Sequence, residues 1–82
     1  ENFRGLALAR EAGVRGGSLP TVFNAANELA VARFLDRKIS YLAITDMIEA
    51  AMRQHKVIDN PSVDEILAAE QETYDYLNSC NF

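Results

Sequence analysis

Apolar residues recur at intervals of three and four along most of the chain, which is the spacing of one face of an α-helix. The clearest stripe comprises Ile44, Met47, Ile48, Ala51, Met52 and His55. Four segments carry this kind of pattern, and no alternating strand pattern competes with them. Because helices this short are not stable alone, we expect them to share one core. The pattern predicts an all-α fold, a small four-helix bundle-like domain.

Capping and breaking residues indicate where the first two helices begin and end. The first is expected over residues 3–12, with Gly13 ending it in a left-handed conformation. Ser18 is the expected N-cap of the second helix, and Pro20 suits a first turn, where its missing N–H is not needed. The second helix is then expected to run to residue 35 or 36.

Two further serines predict the starts of the last two helices. Ser40 can cap the third helix, and Ser62 with Glu65 forms the pattern of a capping box for the fourth. The fourth helix is expected to bury Val63, Ile66, Leu67, Tyr74 and Leu77. The shared core is expected to centre on Phe23, Phe34, Ile44, Ile48, Ile66 and Leu67.

Length and composition limit the kind of protein this chain can form. Its 82 residues have room for one core, which predicts a single helical domain over residues 1–82. The chain begins at Glu1 without a methionine, as expected of an excised domain or a processed product. The single cysteine, Cys80, forms no internal disulfide, and no stretch resembles a signal peptide or a membrane span. We therefore expect a cytoplasmic location and no membrane partner.

The negative charge of the chain is concentrated in its last third. The net charge is −4, and residues 57–82 contain six acidic residues but no lysine, arginine or histidine. Such a surface repels phosphate backbones, so no nucleic-acid partner is expected. Two interpretations stay open: a solvated helix face, or the docking surface of a free-standing acidic helical interaction module that binds a basic partner.

The most unusual polar residues are Asn24, Asn27 and Glu28, which interrupt a run of small apolar residues in the second helix. Their spacing of three and four predicts that they share one side of the helix. Asparagine is a mediocre helix former, so we expect the amides to hydrogen-bond a neighbouring loop or helix end. One carboxylate is a poor ligand set for magnesium or manganese. We therefore interpret the three residues as a structural polar cluster, not as a metal site.

No catalytic or cofactor-binding residue is predicted. His55 lacks a second histidine, a serine or a cysteine in a catalytic pattern, and the turn of Gly16, Gly17 and Ser18 lacks the lysine of a phosphate-binding loop. Ser18 stands where acyl carrier proteins attach their prosthetic group. However, Gly17 replaces the aspartate of that motif, and the helix that follows contains one acid, Glu28, before its end, so this class is excluded.

One segment is specific enough to indicate a family. Residues 20–35, Pro-Thr-Val-Phe-Asn-Ala-Ala-Asn-Glu-Leu-Ala-Val-Ala-Arg-Phe-Leu, closely resemble the helical C-terminal domain of the 1-deoxy-D-xylulose 5-phosphate reductoisomerase family. The resemblance extends to residues 9–13, 16–17, 39–44 and 62–67, so it covers most of the chain. The Asn-Ala-Ala-Asn-Glu block is its most specific part.

The resemblance implies a role within a larger enzyme. That enzyme would convert 1-deoxy-D-xylulose 5-phosphate to 2-C-methyl-D-erythritol 4-phosphate with NADPH and a divalent metal (Mg or Mn), in non-mevalonate isoprenoid biosynthesis. The family's metal-binding acids lie in a central catalytic domain that has no counterpart here, and the nucleotide-binding domain is absent as well. We therefore expect a support domain, inactive alone, that packs on the catalytic domain of a homodimeric parent. Once isolated, it is expected to self-associate.

Overall fold

The computed structural model describes residues 2–82, and Glu1 lies outside the described residues. Residues 2–82 form four helices and no strand: α1 Asn2–Arg15, α2 Leu19–Leu35, α3 Tyr41–Gln54 and α4 Val63–Asn78. The predicted all-α fold is thus confirmed. Within the same residues, no helix has the length and apolar character needed to cross a membrane.

The first helix ends later than the sequence predicts. Gly13 lies inside α1, and the helix continues to Arg15. Gly16 then takes a φ of +70°, and its N–H donates to the carbonyl of Ala12 at 3.0 Å. Glycine adopts this left-handed conformation without steric cost, so Gly16, not Gly13, ends the helix.

Both predicted caps of the last two helices are confirmed. The Ser40 hydroxyl accepts a hydrogen bond from the N–H of Ala43 at 3.3 Å. The Ser62 hydroxyl accepts one from the N–H of Glu65 at 3.1 Å, and the Glu65 carboxylate accepts one from the N–H of Ser62 at 2.9 Å. These bonds pair backbone donors that a helix start otherwise leaves unsatisfied.

The core surrounds α2, which packs against each of the other three helices, whereas α1 and α4 make no contact with each other within the described residues. The buried cluster comprises Leu8, Ala12, Leu19, Val22, Ala26, Ala30, Met47, Ile48, Ala51, Met52, Ala69 and Leu77. Ile48 lies there as expected; Phe23 and Ile44 lie at its edge, and Phe34 is half-buried. Alanines form much of the cluster, and such small side chains allow helix axes to approach closely.

The predicted inner face of α4 is largely wrong. Val63, Ile66 and Leu67 are exposed, and Tyr74 is half-buried. The residues that α4 buries are Ala69, Thr73 and Leu77. Thr73 can be buried because its hydroxyl donates to the carbonyl of Ala69 at 2.8 Å, which satisfies the polar atom. Of the two neighbouring stripes of α4, the one with the smaller side chains, Ala69 and Thr73, therefore faces the bundle.

Candidate functional site

The three polar residues of α2 lie on two different surfaces. Asn24 and Glu28 line a shallow groove against α4, which we call the acidic groove; it is formed by Thr21, Asn24, Ala25, Glu28, Ile66 and Glu70. Asn27 lines a second groove, against α1 and α3. Successive helix residues are about 100° apart, so Asn27 and Glu28 diverge by that angle around the axis. The structure brings Asn24 and Glu28 together and separates Asn27 from them.

Glu28 connects α2 to α4. The Tyr74 hydroxyl donates to the Glu28 carboxylate at 2.6 Å, with the Glu70 carboxylate 3.4 Å away. The hydrogen bond to Glu28, assisted by burial, raises the pKa of Tyr74 to about 12. Within the described residues, the side-chain amides of Asn24 and Asn27 make no hydrogen bond. The structural role of the two asparagines stays a prediction.

The groove that contains Asn27 is predominantly apolar, and we call it the apolar groove. Its volume is about 410 Å³. It is lined by Gly5, Leu6, Phe23, Asn27, Val31, Tyr41, Leu42, Ile44, Thr45 and Ile48. Leu6, Tyr41 and Leu42 are well exposed at its rim. Single exposed apolar residues are common on protein surfaces, whereas contiguous apolar patches are typical of interaction sites and ligand grooves.

A buried hydrogen-bond network joins the α1–α2 turn to the α3–α4 connection. Ser18 is fully buried, and its Oγ accepts a hydrogen bond from the N–H of Ile58 at 2.8 Å. The same Oγ lies 2.7 Å from Nε2 of His55. Burial lowers the pKa of His55, and the negative charge of Glu72 partly opposes this shift. The lowered pKa favours the neutral ring at neutral pH, and in the tautomer with its proton on Nδ1, Nε2 can accept a hydrogen bond from the Ser18 hydroxyl.

This network changes the role of Ser18, which lies at the predicted N-cap position of α2. Ser18 makes no N-cap hydrogen bond; its hydroxyl is engaged by His55 and Ile58, residues far away in the sequence, so no local pattern indicates the contact. The N–H groups of Ser18 and Leu19 donate to the carbonyls of Ile58 and Gly16, at 2.9 and 3.2 Å. These two N–H groups are therefore not available to bind an anion. The buried Ser18 also cannot carry a prosthetic arm.

Exposed ion pairs link α1 to α3. Arg4 pairs with Asp46 at 2.7 Å and with Glu49, and Arg53 pairs with Glu11 at 2.6 Å. The hydrogen bond from Arg53 lowers the pKa of Glu11, and the one from Arg4 lowers the pKa of Glu49. Solvent screens such pairs, so they orient the two helices more than they stabilise them.

The comparisons with known proteins agree on one family. The family model described as "DXP reductoisomerase C-terminal domain" matches residues 1–76. A 1-deoxy-D-xylulose 5-phosphate reductoisomerase of Agathobacter rectalis is 59% identical over 78 residues, which is 95% of this chain and 20% of the relative. Proteins of the same name from Lachnoclostridium phytofermentans and Halalkalibacterium halodurans are 60% and 49% identical, over 93% and 96% of this chain. No solved structure matches.

The chain spans about 20% of the length of the curated relatives it matches. Its Asn-Ala-Ala-Asn-Glu block falls on α2, the helix around which the bundle packs. The family match covers nearly the whole of that bundle, from α1 into the last turns of α4. By sequence, the chain belongs to the DXP reductoisomerase C-terminal domain family.

Proposed function

We propose that this domain supports the catalytic domain of a longer enzyme that converts 1-deoxy-D-xylulose 5-phosphate to 2-C-methyl-D-erythritol 4-phosphate with NADPH. The observation that carries the proposal is the identity of 59% over nearly the whole chain with a reductoisomerase about five times as long. The same observation argues against the free-standing acidic module, because the matched relatives carry this sequence as one part of a longer chain.

The cofactors of the proposed reaction are assigned to the rest of the enzyme. Among residues 2–82, no group of three or more His, Cys, Asp or Glu side chains is placed to hold a metal ion. We therefore assign no metal-dependent step to this domain. At the turn after α1, the N–H groups of Gly16, Ser18 and Leu19 donate to backbone carbonyls, which supports assigning the phosphates of NADPH to another part of the enzyme.

The proposal also places the full-length enzyme in the cytoplasm, where NADPH and phosphorylated sugars are available, and takes that enzyme to be a homodimer.

The direct test of the proposed activity uses the full-length polypeptide that contains this sequence. The measurement is the oxidation of NADPH, followed by the near-ultraviolet absorbance of NADPH. Consumption should require 1-deoxy-D-xylulose 5-phosphate and a divalent metal, and the 82-residue chain alone should show none. A full-length protein that consumes no NADPH under these conditions would refute the proposed activity.

The support role predicts that changes in this domain affect stability more than catalysis. Glu28→Ala in the full-length enzyme removes the acceptor of Tyr74, so it should lower the melting temperature while kcat stays within about twofold. Tyr74→Phe removes the donor of the same hydrogen bond and serves as the matched control. The double variant should melt at a temperature no lower than that of either single variant. A collapse of kcat at an unchanged melting temperature would place Glu28 in the catalytic machinery instead.

A further inference from the structure

The apolar groove lies beside the start of α1. Gly5 and Leu6 line it, and α1 begins at Asn2, about one helical turn earlier, or roughly 5 Å along the axis. Phe3 is 87% exposed and is three residues before Leu6, so both project from the same side of α1. Polypeptide entering α1 would therefore emerge next to an open apolar surface.

The walls of the groove indicate what kind of segment fits it. The nearby side chains of Asp46 and Glu49 both pair with Arg4, so these charged groups are engaged with one another, with a net charge of −1. Leu6 and Leu42 offer apolar surface. The amide of Asn27, which makes no hydrogen bond within the described residues, offers an NH2 donor group and an acceptor oxygen. These groups suit an apolar stretch of polypeptide with one main-chain group to hydrogen-bond.

We propose that the apolar groove receives an apolar stretch of the polypeptide that directly precedes α1 in the full-length protein. This inference rests on the proposed function, in which a C-terminal domain follows some four-fifths of the enzyme. All of that preceding chain enters the bundle at α1, so a segment before residue 2 reaches the groove with little loss of chain entropy. The junction is then a fixed joint that holds the domain against the enzyme's body, with Asn27 hydrogen-bonded to the docked main chain.

The other apolar surface, at the start of α4, suits this role less well. Val63, Ile66 and Leu67 are exposed there, but Asp64, Glu65 and Glu70 lie among them in the sequence. Burying such a surface would remove acidic groups from water, which is costly without basic partners. The start of α4 therefore provides the matched control for the experiment.

The test compares Leu42→Asp with Leu67→Asp in the full-length protein. The two leucines are 61% and 57% exposed, Leu42 in the apolar groove and Leu67 on α4. The measurement is the rate of limited proteolysis at the junction before α1, which follows the population of the undocked state. Loss of one buried leucine should make Leu42→Asp at least about tenfold faster to cleave, and Leu67→Asp should match wild type. If Leu42→Asp fails to fold by circular dichroism, Leu42→Ala against Leu67→Ala makes the same comparison.

Each other outcome has a distinct meaning. Equal cleavage rates in the two variants would overturn the docking proposal. If Leu42→Asp instead dissociates the protein in sedimentation while cleavage is unchanged, the occupant is a second copy, and the proposal is also overturned. Wild-type protein that lacks substrate-dependent NADPH oxidation yet shows the tenfold difference would refute the proposed function and leave the docking intact.

Discussion

At the scale of single residues, the contact between Ser18 and His55 depends on one proton. A neutral imidazole can accept a hydrogen bond from the Ser18 hydroxyl at Nε2, whereas a protonated ring can only donate hydrogen bonds. The Ser18 hydroxyl is buried, and its oxygen already accepts a hydrogen bond from the N–H of Ile58. Protonation of His55 would therefore leave the hydroxyl hydrogen of Ser18 without Nε2 as its acceptor. An unsatisfied buried polar group destabilises the fold.

The consequence is a loss of stability in mild acid. Burial holds the pKa of His55 below its ordinary value of 6.5, with Glu72 opposing, so the unfolded chain binds more protons between the two pKa values. The stabilising contribution is therefore complete above pH 6.5 and is lost as pH falls towards the native pKa. The slope is at most about 1.4 kcal/mol per pH unit and smaller here because the ring is partly exposed. Urea unfolding between about pH 5.5 and 7.5 measures it.

His55→Gln is the control for this titration. The amide oxygen of glutamine can replace Nε2 as the acceptor of the hydrogen bond from the Ser18 hydroxyl, but the glutamine side chain does not ionise. The variant should therefore unfold with a flatter pH dependence over the same range. An identical slope in wild type and variant would assign the titration to another group. The carboxyl groups of Glu11 and Glu49 have lowered pKa values, so their effects fall at more acidic pH.

At the scale of elements, the α1–α2 turn distinguishes glycines that are required from one that is not. Gly17 has a φ of +60°, and a Cβ built there would lie 2.5 Å from the carbonyl oxygen of Ile58. Gly13 lies inside α1 with open space around it. Gly17→Ala should therefore destabilise the domain by more than about 1–2 kcal/mol, because strain and a backbone clash add. Gly13→Ala should stabilise it by about 0.5–1 kcal/mol.

Gly16 supplies an internal comparison for this prediction, since it has a φ of +70° but no atom within 4 Å of the position that a Cβ would occupy. Gly16→Ala should show the conformational strain without the clash, so its stability should fall between those of Gly17→Ala and Gly13→Ala. Thermal unfolding of the three variants ranks them directly. If Gly17→Ala destabilised the domain no more than Gly16→Ala, the close approach to Ile58 would not be the reason that residue 17 must be glycine.

The elements also show what can be predicted from sequence. The caps at Ser40 and Ser62 are predicted correctly because a cap depends on residues within one turn of each other. Ser18 lies at the predicted N-cap position, but it makes no capping hydrogen bond, because the partners of its hydroxyl are 37 and 40 residues away. The buried face of α4 is missed because hydrophobicity favours Ile66 and Leu67, whereas close packing in the bundle core favours Ala69. The apolar groove is formed by three helices, so no single periodic stripe indicates it.

At the scale of the whole molecule, a small core is combined with a large exposed apolar surface. The bundle measures 36 × 25 × 17 Å, and seven of the fourteen buried hydrophobic residues described are alanines. Alanine buries little apolar area, so the core contributes less stability than the same number of leucines would. A domain of this size is therefore marginal alone, and covering the apolar groove would add stability that the core lacks.

The isolated 82-residue chain should consequently self-associate through the apolar groove. Without a docked segment, two grooves can cover each other, so the weight-average mass should rise above 9.1 kDa as concentration approaches about 1 mM. Leu42→Asp should abolish this rise, and Leu67→Asp should not. Sedimentation equilibrium measures it, and added salt should not weaken the association, because apolar burial is not screened. Association through the acidic α4 surface would show the opposite pattern, with salt sensitivity and no effect of Leu42→Asp.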